Sequence, residues 1–125
     1  MVTMSAAKTV TATFNPNVAP VANAGPDQIV ALGSTVTLDG RASSDPDNVL
    51  PLSYLWTQTD GDAVVLSSPT LSVTTFTAPS SATVLTFTLT VTDAMGLADV
   101  TPDVVRVSVR YMIYLPLIQN SYITP

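Results

Sequence analysis

Val84-Leu-Thr-Phe-Thr-Leu-Thr-Val-Thr-Asp93 decides the fold. Leu85, Phe87, Leu89 and Val91 alternate with Thr86, Thr88, Thr90 and Thr92 without a slip. A period of two places the apolar side chains on one face of a strand and the threonines on the other. Asp93-Ala-Met-Gly96 then supplies turn residues that close the run. The polar face carries hydroxyls but no acid, base or thiol, so the strand reads as scaffold and names no reaction.

Working outward, the same pattern recurs in short pieces. Asp27–Leu32 is stopped by Gly33-Ser34, and Thr35–Asp39 turns Val36 and Leu38 inward. Leu52–Gln58 carries Tyr54 and Trp56 on one face. Ala63–Leu66 and Val73–Thr77 precede the opening stretch, and Val104–Val109 follows it with Val105, Val107 and Val109 inward. About seven strands at this spacing, with no helical period, predict an all-β, antiparallel β-sandwich.

Composition agrees. The 125 residues leave room for one domain with spare chain. Hydrophobic residues make up 46%, and charged residues only 10% against about 25% in average soluble domains. All nine acidic residues are Asp, a turn residue, and none is the helix former Glu. With Lys8, Arg41, Arg106 and Arg110 as the cations and a net charge of −5, no basic stripe exists for a phosphate backbone, which argues against nucleic acid. Without Cys or His, disulfides, thiolate metal sites and imidazole chemistry are excluded. No apolar run approaches the roughly 20 residues of a membrane span. Met1-Val-Thr-Met-Ser lacks the charged start and apolar centre of a signal peptide, so export would depend on a longer precursor or a removed leader.

Both ends differ from the middle. Residues 1–19 form an arm: Lys8–Phe14 reads as a strand with Val10, Ala12 and Phe14 on one face, followed by the Pro-containing linker Asn15-Pro-Asn-Val-Ala. Residues 20–110 form the sandwich. Residues 111–125 form a tail in which Tyr111-Met-Ile-Tyr-Leu-Pro-Leu-Ile118 is apolar on both faces, as in a strand covered on both sides.

The middle of the chain resembles the PKD-like, Ig-like β-sandwich modules. The resemblance rests on Ala24-Gly-Pro-Asp-Gln28, Val36-Thr-Leu-Asp-Gly40, Ser43-Ser-Asp-Pro-Asp47, Tyr54-Leu-Trp-Thr-Gln58, Phe76-Thr-Ala-Pro79 and Leu89-Thr-Val-Thr-Asp93, in the family's order. The family's Trp-Asp-Phe-Gly-Asp-Gly signature is replaced by Trp56-Thr-Gln-Thr59, which removes an Asp that some relatives place near calcium. Ala6–Phe14 is similar to the closing strand of a small repeat in bacterial surface proteins, and Tyr114–Ile118 to a tail motif on exported proteins of filamentous bacteria. The resemblance implies a non-enzymatic module for spacing, adhesion or protein contact, outside the cell or at the surface of a bacterium. It also implies Asn23, Asp45 and Asp47 as calcium ligands.

Each candidate site has a plainer reading beside it. Asp45 and Asp47 supply oxygens of the kind calcium takes, yet Asp in such loops also bonds its own backbone. Cofactors are therefore not required, with calcium as the candidate. Trp56 could stack on a sugar, but on the third strand of a sandwich it fits the core. Asp60-Gly-Asp62 is turn chemistry. A Lys8–Asn amide crosslink would lack the Glu that often catalyses it. The two arms are the interface candidates, through Val10, Ala12 and Phe14 and through Tyr111, Met112, Ile113, Tyr114, Leu115, Leu117 and Ile118. They either pair with other copies or neighbouring surface-protein domains, or fold back on their own sandwich. The expected role is a building block of a surface fibre or multidomain surface protein. The alternative is a calcium- or carbohydrate-binding accessory module of a secreted enzyme.

Overall fold

A computed structural model of the chain describes residues 16–112. Runs rich in Val, Thr and other strand formers become six strands among the described residues: β1 (Gln28–Ala31), β2 (Thr35–Asp39), β3 (Ser53–Asp60), β4 (Val73–Thr77), β5 (Thr83–Thr92) and β6 (Asp103–Arg110). They form a four-stranded sheet in the order β1-β6-β5-β3 and a two-stranded sheet β2-β4. A two-stranded sheet is marginal by itself, so β2-β4 depends on the apolar face it lays over the larger sheet.

That face is supplied by the period-two pattern. Leu85, Phe87, Leu89 and Val91 of β5 are fully buried, as are Val105, Val107 and Val109 of β6. They meet Val36 and Leu38 of β2 and Phe76 of β4, and the rings of Phe76 and Phe87 stack between the sheets at 5.0 Å. Trp56 of β3 lies opposite Leu89 and closes one side of the core. Gly40 sits against it: a Cβ there would stand 2.7 Å from Leu89 Cδ2 and 3.2 Å from Trp56 Cζ2.

The sandwich departs from the expectation in two respects. It is mixed and not wholly antiparallel, because β1 runs parallel to β6, with Gln28 opposite Val107 and Ala31 opposite Arg110. It also has six strands among the described residues, since Ala63–Leu66 joins no ladder. The side chain of Gln58 takes over there. Its Nε2 donates to Asp60 O at 3.1 Å and Asp62 O at 2.7 Å, while its Oε1 accepts from Val64 N at 3.0 Å. Val64 and Leu66 still pack on the core, which explains the alternating pattern without a strand.

The chain enters and leaves at opposite poles. Asn17 is bonded to Asp93, just past the end of β5, at the pole where β6 begins. Met112 follows Arg110, at the far end of β6. The eight residues of β6 separate the poles by about 23 Å at the usual rise per residue. We call the two ends the proximal and distal poles.

Candidate functional site

The proximal pole is built on aspartates. Ala24 N donates to Asp103 Oδ2 at 2.7 Å and Val18 N to Asp47 Oδ2 at 2.8 Å. Asn17 Nδ2 reaches Asp93 Oδ2 at 2.7 Å, and Val21 pairs with Ser44 through two backbone bonds of 2.7 and 3.0 Å. Further along, Arg106 N donates to Asp27 Oδ1 at 2.9 Å. Residues 16–27 are thereby stitched to loops and strands up to 79 positions away. A carboxylate accepting backbone amides is a charge-assisted bond, stronger than a neutral one.

The same use accounts for the expected calcium ligands. Asp45 accepts from Val49 N at 2.9 Å and from Asp47 N at 3.4 Å, closing a turn in which Asn48 takes φ 63°. Asn23 Oδ1 accepts from Gly25 N at 2.9 Å, and its own N–H donates to Ser43 Oγ at 2.9 Å. Asp45 and Asp47 are neighbours, whereas Asn23 is tied into a separate turn. Burial, helped by the adjacent Asp47 carboxyl, pushes Asp45 above the ordinary carboxylate range. The Val18 amide, then Asp45, holds Asp47 below it. Burial pushes Asp93 up most strongly, but bonds from Leu97, Asn17 and Met95 outweigh it and leave the group lowered. Among the described residues no three acidic side chains come together as a metal-binding group.

Seven of the nine aspartates accept backbone amides: Asp27, Asp39, Asp45, Asp47, Asp93, Asp99 and Asp103. This is why the acid is Asp throughout: its short arm reaches a nearby amide with few rotamers to freeze.

Beside these carboxylates lies an apolar groove of about 320 Å³, lined by Val18, Ala19, Pro20, Val21, Val100 and Thr101. Val18, Val21 and Val100 are 46%, 55% and 86% exposed. Sequence reasoning missed it. Val18 and Ala19 fall in the stretch read as linker, Pro20 and Val21 at the start of the sandwich, and Val100 in none of the strands read from sequence, and the available signal was apolar residues sitting in segments without alternation.

Parts of the sheet edges are guarded, at β2, β3, β4 and the stretch of β6 that β1 leaves uncovered. Trp56 N on β3 donates to Pro69 O at 2.8 Å. Thr75 of β4 is bonded through both N and O to Ser67, at 3.0 and 2.8 Å. Gln28 Nε2 covers Thr37 O on β2 at 2.9 Å, and the Asp27 carboxylate stands where a strand would meet β6 at Arg106. Such caps suppress casual edge pairing.

Of the expected interface residues, Tyr111 and Met112 are exposed. Val10, Ala12, Phe14, Ile113, Tyr114, Leu115, Leu117 and Ile118 lie outside the described residues. Trp56 is buried, with its indole Nε1 donating to Leu71 O at 3.1 Å, so it offers no sugar platform. No nucleophile–base pair appears among the polar contacts of the described residues, whose carboxylates serve loops.

Comparison with known proteins agrees with this picture. Residues 24–109 match the family model described as K319L-like, PKD domain. Over 83 residues the chain is 43% identical to the Dyslexia-associated protein KIAA0319-like protein of Mus musculus, covering 65% of this chain and 8% of that protein's length. The solution structure of the PKD domain from KIAA 1837 protein superposes with a TM-score of 0.61 at 35% identity, covering 81% of this chain and 93% of that one. A nucleoside hydrolase-related hypothetical protein from Saccharophagus degradans shares the fold, with a TM-score of 0.56 at 24% identity over 75% of this chain and 26% of that one.

Proposed function

The chain belongs to the K319L-like PKD-domain family, and from that premise we propose that it is a non-enzymatic extracellular structural module, one unit of a surface fibre or multidomain surface protein. The observation that carries the reading is the placement of the two ends of the described segment at opposite poles, Asn17 beside Asp93 and Met112 beyond Arg110. A module threaded in this way adds its length to whatever it joins. Its terminal arms, residues 8–14 and 111–118, make the joints by strand pairing and apolar packing. The setting assigned is a bacterial cell surface, on the likeness of both terminal segments to surface and exported bacterial proteins. The partners are other copies or neighbouring domains. The fold also recurs as a small part of longer proteins, 8% and 26% of two of the relatives compared, which supports the accessory-module reading as the second choice.

Sedimentation velocity on the full chain and on a chain ending at Arg110 tests the assembly. Association that rises with concentration in the first and is lost in the second is expected. A full chain that stays monomeric at every concentration leaves only the spacer role.

A further inference from the structure

We propose that the groove at the proximal pole receives the apolar tail segment Tyr114–Ile118 of a second copy, joining modules head to tail. This rests on the assembly reading above and names its joint.

The groove has the properties of a prepared socket. Val18, Val21 and Val100 present apolar side chains to water at one place, and exposed apolar clusters mark contact sites. Its walls are fixed by the Val18–Asp47 bond, the Asn17–Asp93 bond and the Val21–Ser44 pair. Little ordering therefore opposes occupation.

The occupant follows from reach, chemistry and charge. Pro116, the midpoint of Tyr114–Ile118, is six residues beyond Arg110 and extends at most about 21 Å from it. The groove lies about 23 Å away along β6 and further still, since Val100 and Thr101 precede Asp103. The centre of that segment thus falls short of its own groove, whereas a copy placed beyond the distal pole would bring a groove within its reach. Tyr114–Ile118 carries no charged side chain, so it enters the acidic surroundings of Asp45, Asp47, Asp93 and Asp99 without repulsion. Arg110, immediately before the tail, brings a positive charge toward that pole. Pro116 lacks a backbone donor and interrupts a ladder, so this segment takes the apolar-packing part of the assembly, its side chains filling the groove, while strand pairing falls to residues 8–14. A head-to-tail contact is heterologous and propagates without closing.

Three full-length variants test the joint by sedimentation velocity. Val100→Asp puts a charge in the groove, Leu117→Asp puts one in the tail, and Val65→Asp is the control, since Val65 at 87% is as exposed as Val100 at 86% but lies outside the groove. Association of Val100→Asp and of Leu117→Asp is expected to weaken by about tenfold or more, with Val65→Asp unchanged and all melting temperatures alike. Mixing Val100→Asp with Leu117→Asp leaves one intact tail and one intact groove, so dimers form but longer species do not. Wild-type association by Val100→Asp while Leu117→Asp fails overturns the groove and leaves the assembly reading standing. A mixture that stays monomeric overturns the pairing, and a monomeric wild-type chain overturns both.

Discussion

Trp56 is the side chain whose removal the structure prices most clearly. It is 2% exposed, packs opposite Leu89 and against Gly40, and donates from its indole to Leu71 O. A Trp buries up to about 250 Å², which at about 25 cal/mol/Å² sets an upper limit near 6 kcal/mol. Replacement by Ala keeps the Cβ and permits some collapse, so Trp56→Ala is expected to cost about 3–5 kcal/mol. At about 4–8 °C per kcal/mol for a domain of this size, the melting temperature falls by roughly 12–40 °C. Trp56→Phe separates volume from the hydrogen bond. It retains most of the apolar contact but leaves Leu71 O without its donor, at a cost of about 1–3 kcal/mol. Calorimetry on the three proteins gives the order wild type, Phe, Ala. Hydrogen exchange across residues 61–72 should quicken already in Trp56→Phe, because that loop loses one of its ties to β3. An Ala variant melting within about 3 °C of wild type, or a Phe variant as damaged as the Ala variant, refutes the reasoning.

Two further outcomes follow from the carboxylates. Asp39, held at about 2 by its bond to Arg41, and Asp47 and Asp93, also lowered, have folded values below their unfolded ones. Their contribution is complete above the unfolded value of about 4 and is lost as the pH falls through the folded values. Asp45, raised, acts in the opposite sense and blunts the effect. The melting temperature should hold from neutral pH to about 5 and fall between about 4 and 2, and Asp93→Ala should flatten that fall. An unchanged slope would exclude Asp93 from the acid response. Calcium, implied by the resemblance at Asn23, Asp45 and Asp47, competes with amides already bound to these groups. Melting in calcium and in chelator is expected to coincide, and a clear rise in calcium would restore the three residues as ligands.

What the sequence revealed and what it concealed have separate physical causes. The spans Thr35–Asp39 and Val73–Thr77 are read without error: alternation, β-branched residues and flanking turn residues agree in the first, and β-branched residues between turn residues carry the second, where Thr74 and not Val73 shares the core face with Phe76. Ala63–Leu66 misleads because alternation reports which side chains face the core, and Val64 and Leu66 do so from a loop held by Gln58. The direction of β1 is not encoded by alternation either, since parallel and antiparallel neighbours bury the same parity. The turn role of Asp45 was visible as local chemistry, with partners within four residues, whereas Asp47 departs from the turn reading, its carboxylate accepting from Val18 N 29 positions away. The groove was not visible, because Val18–Val21 and Val100 meet only after the chain has crossed the whole sandwich.

The parallel pairing of β1 with β6 acquires a further meaning when the chain is placed under tension. A pull on the segment ahead of β1 draws that strand toward the proximal pole, and a pull beyond Arg110 draws β6 toward the distal one. The bonds between Gln28–Ala31 and Val107–Arg110 are then loaded side by side in shear, so they must fail together and cannot peel singly. Asp27 at Arg106 and Asp103 at Ala24 join the same two segments and share that load. A module in this arrangement resists stretching at its own two ends, where a linked array would apply the load.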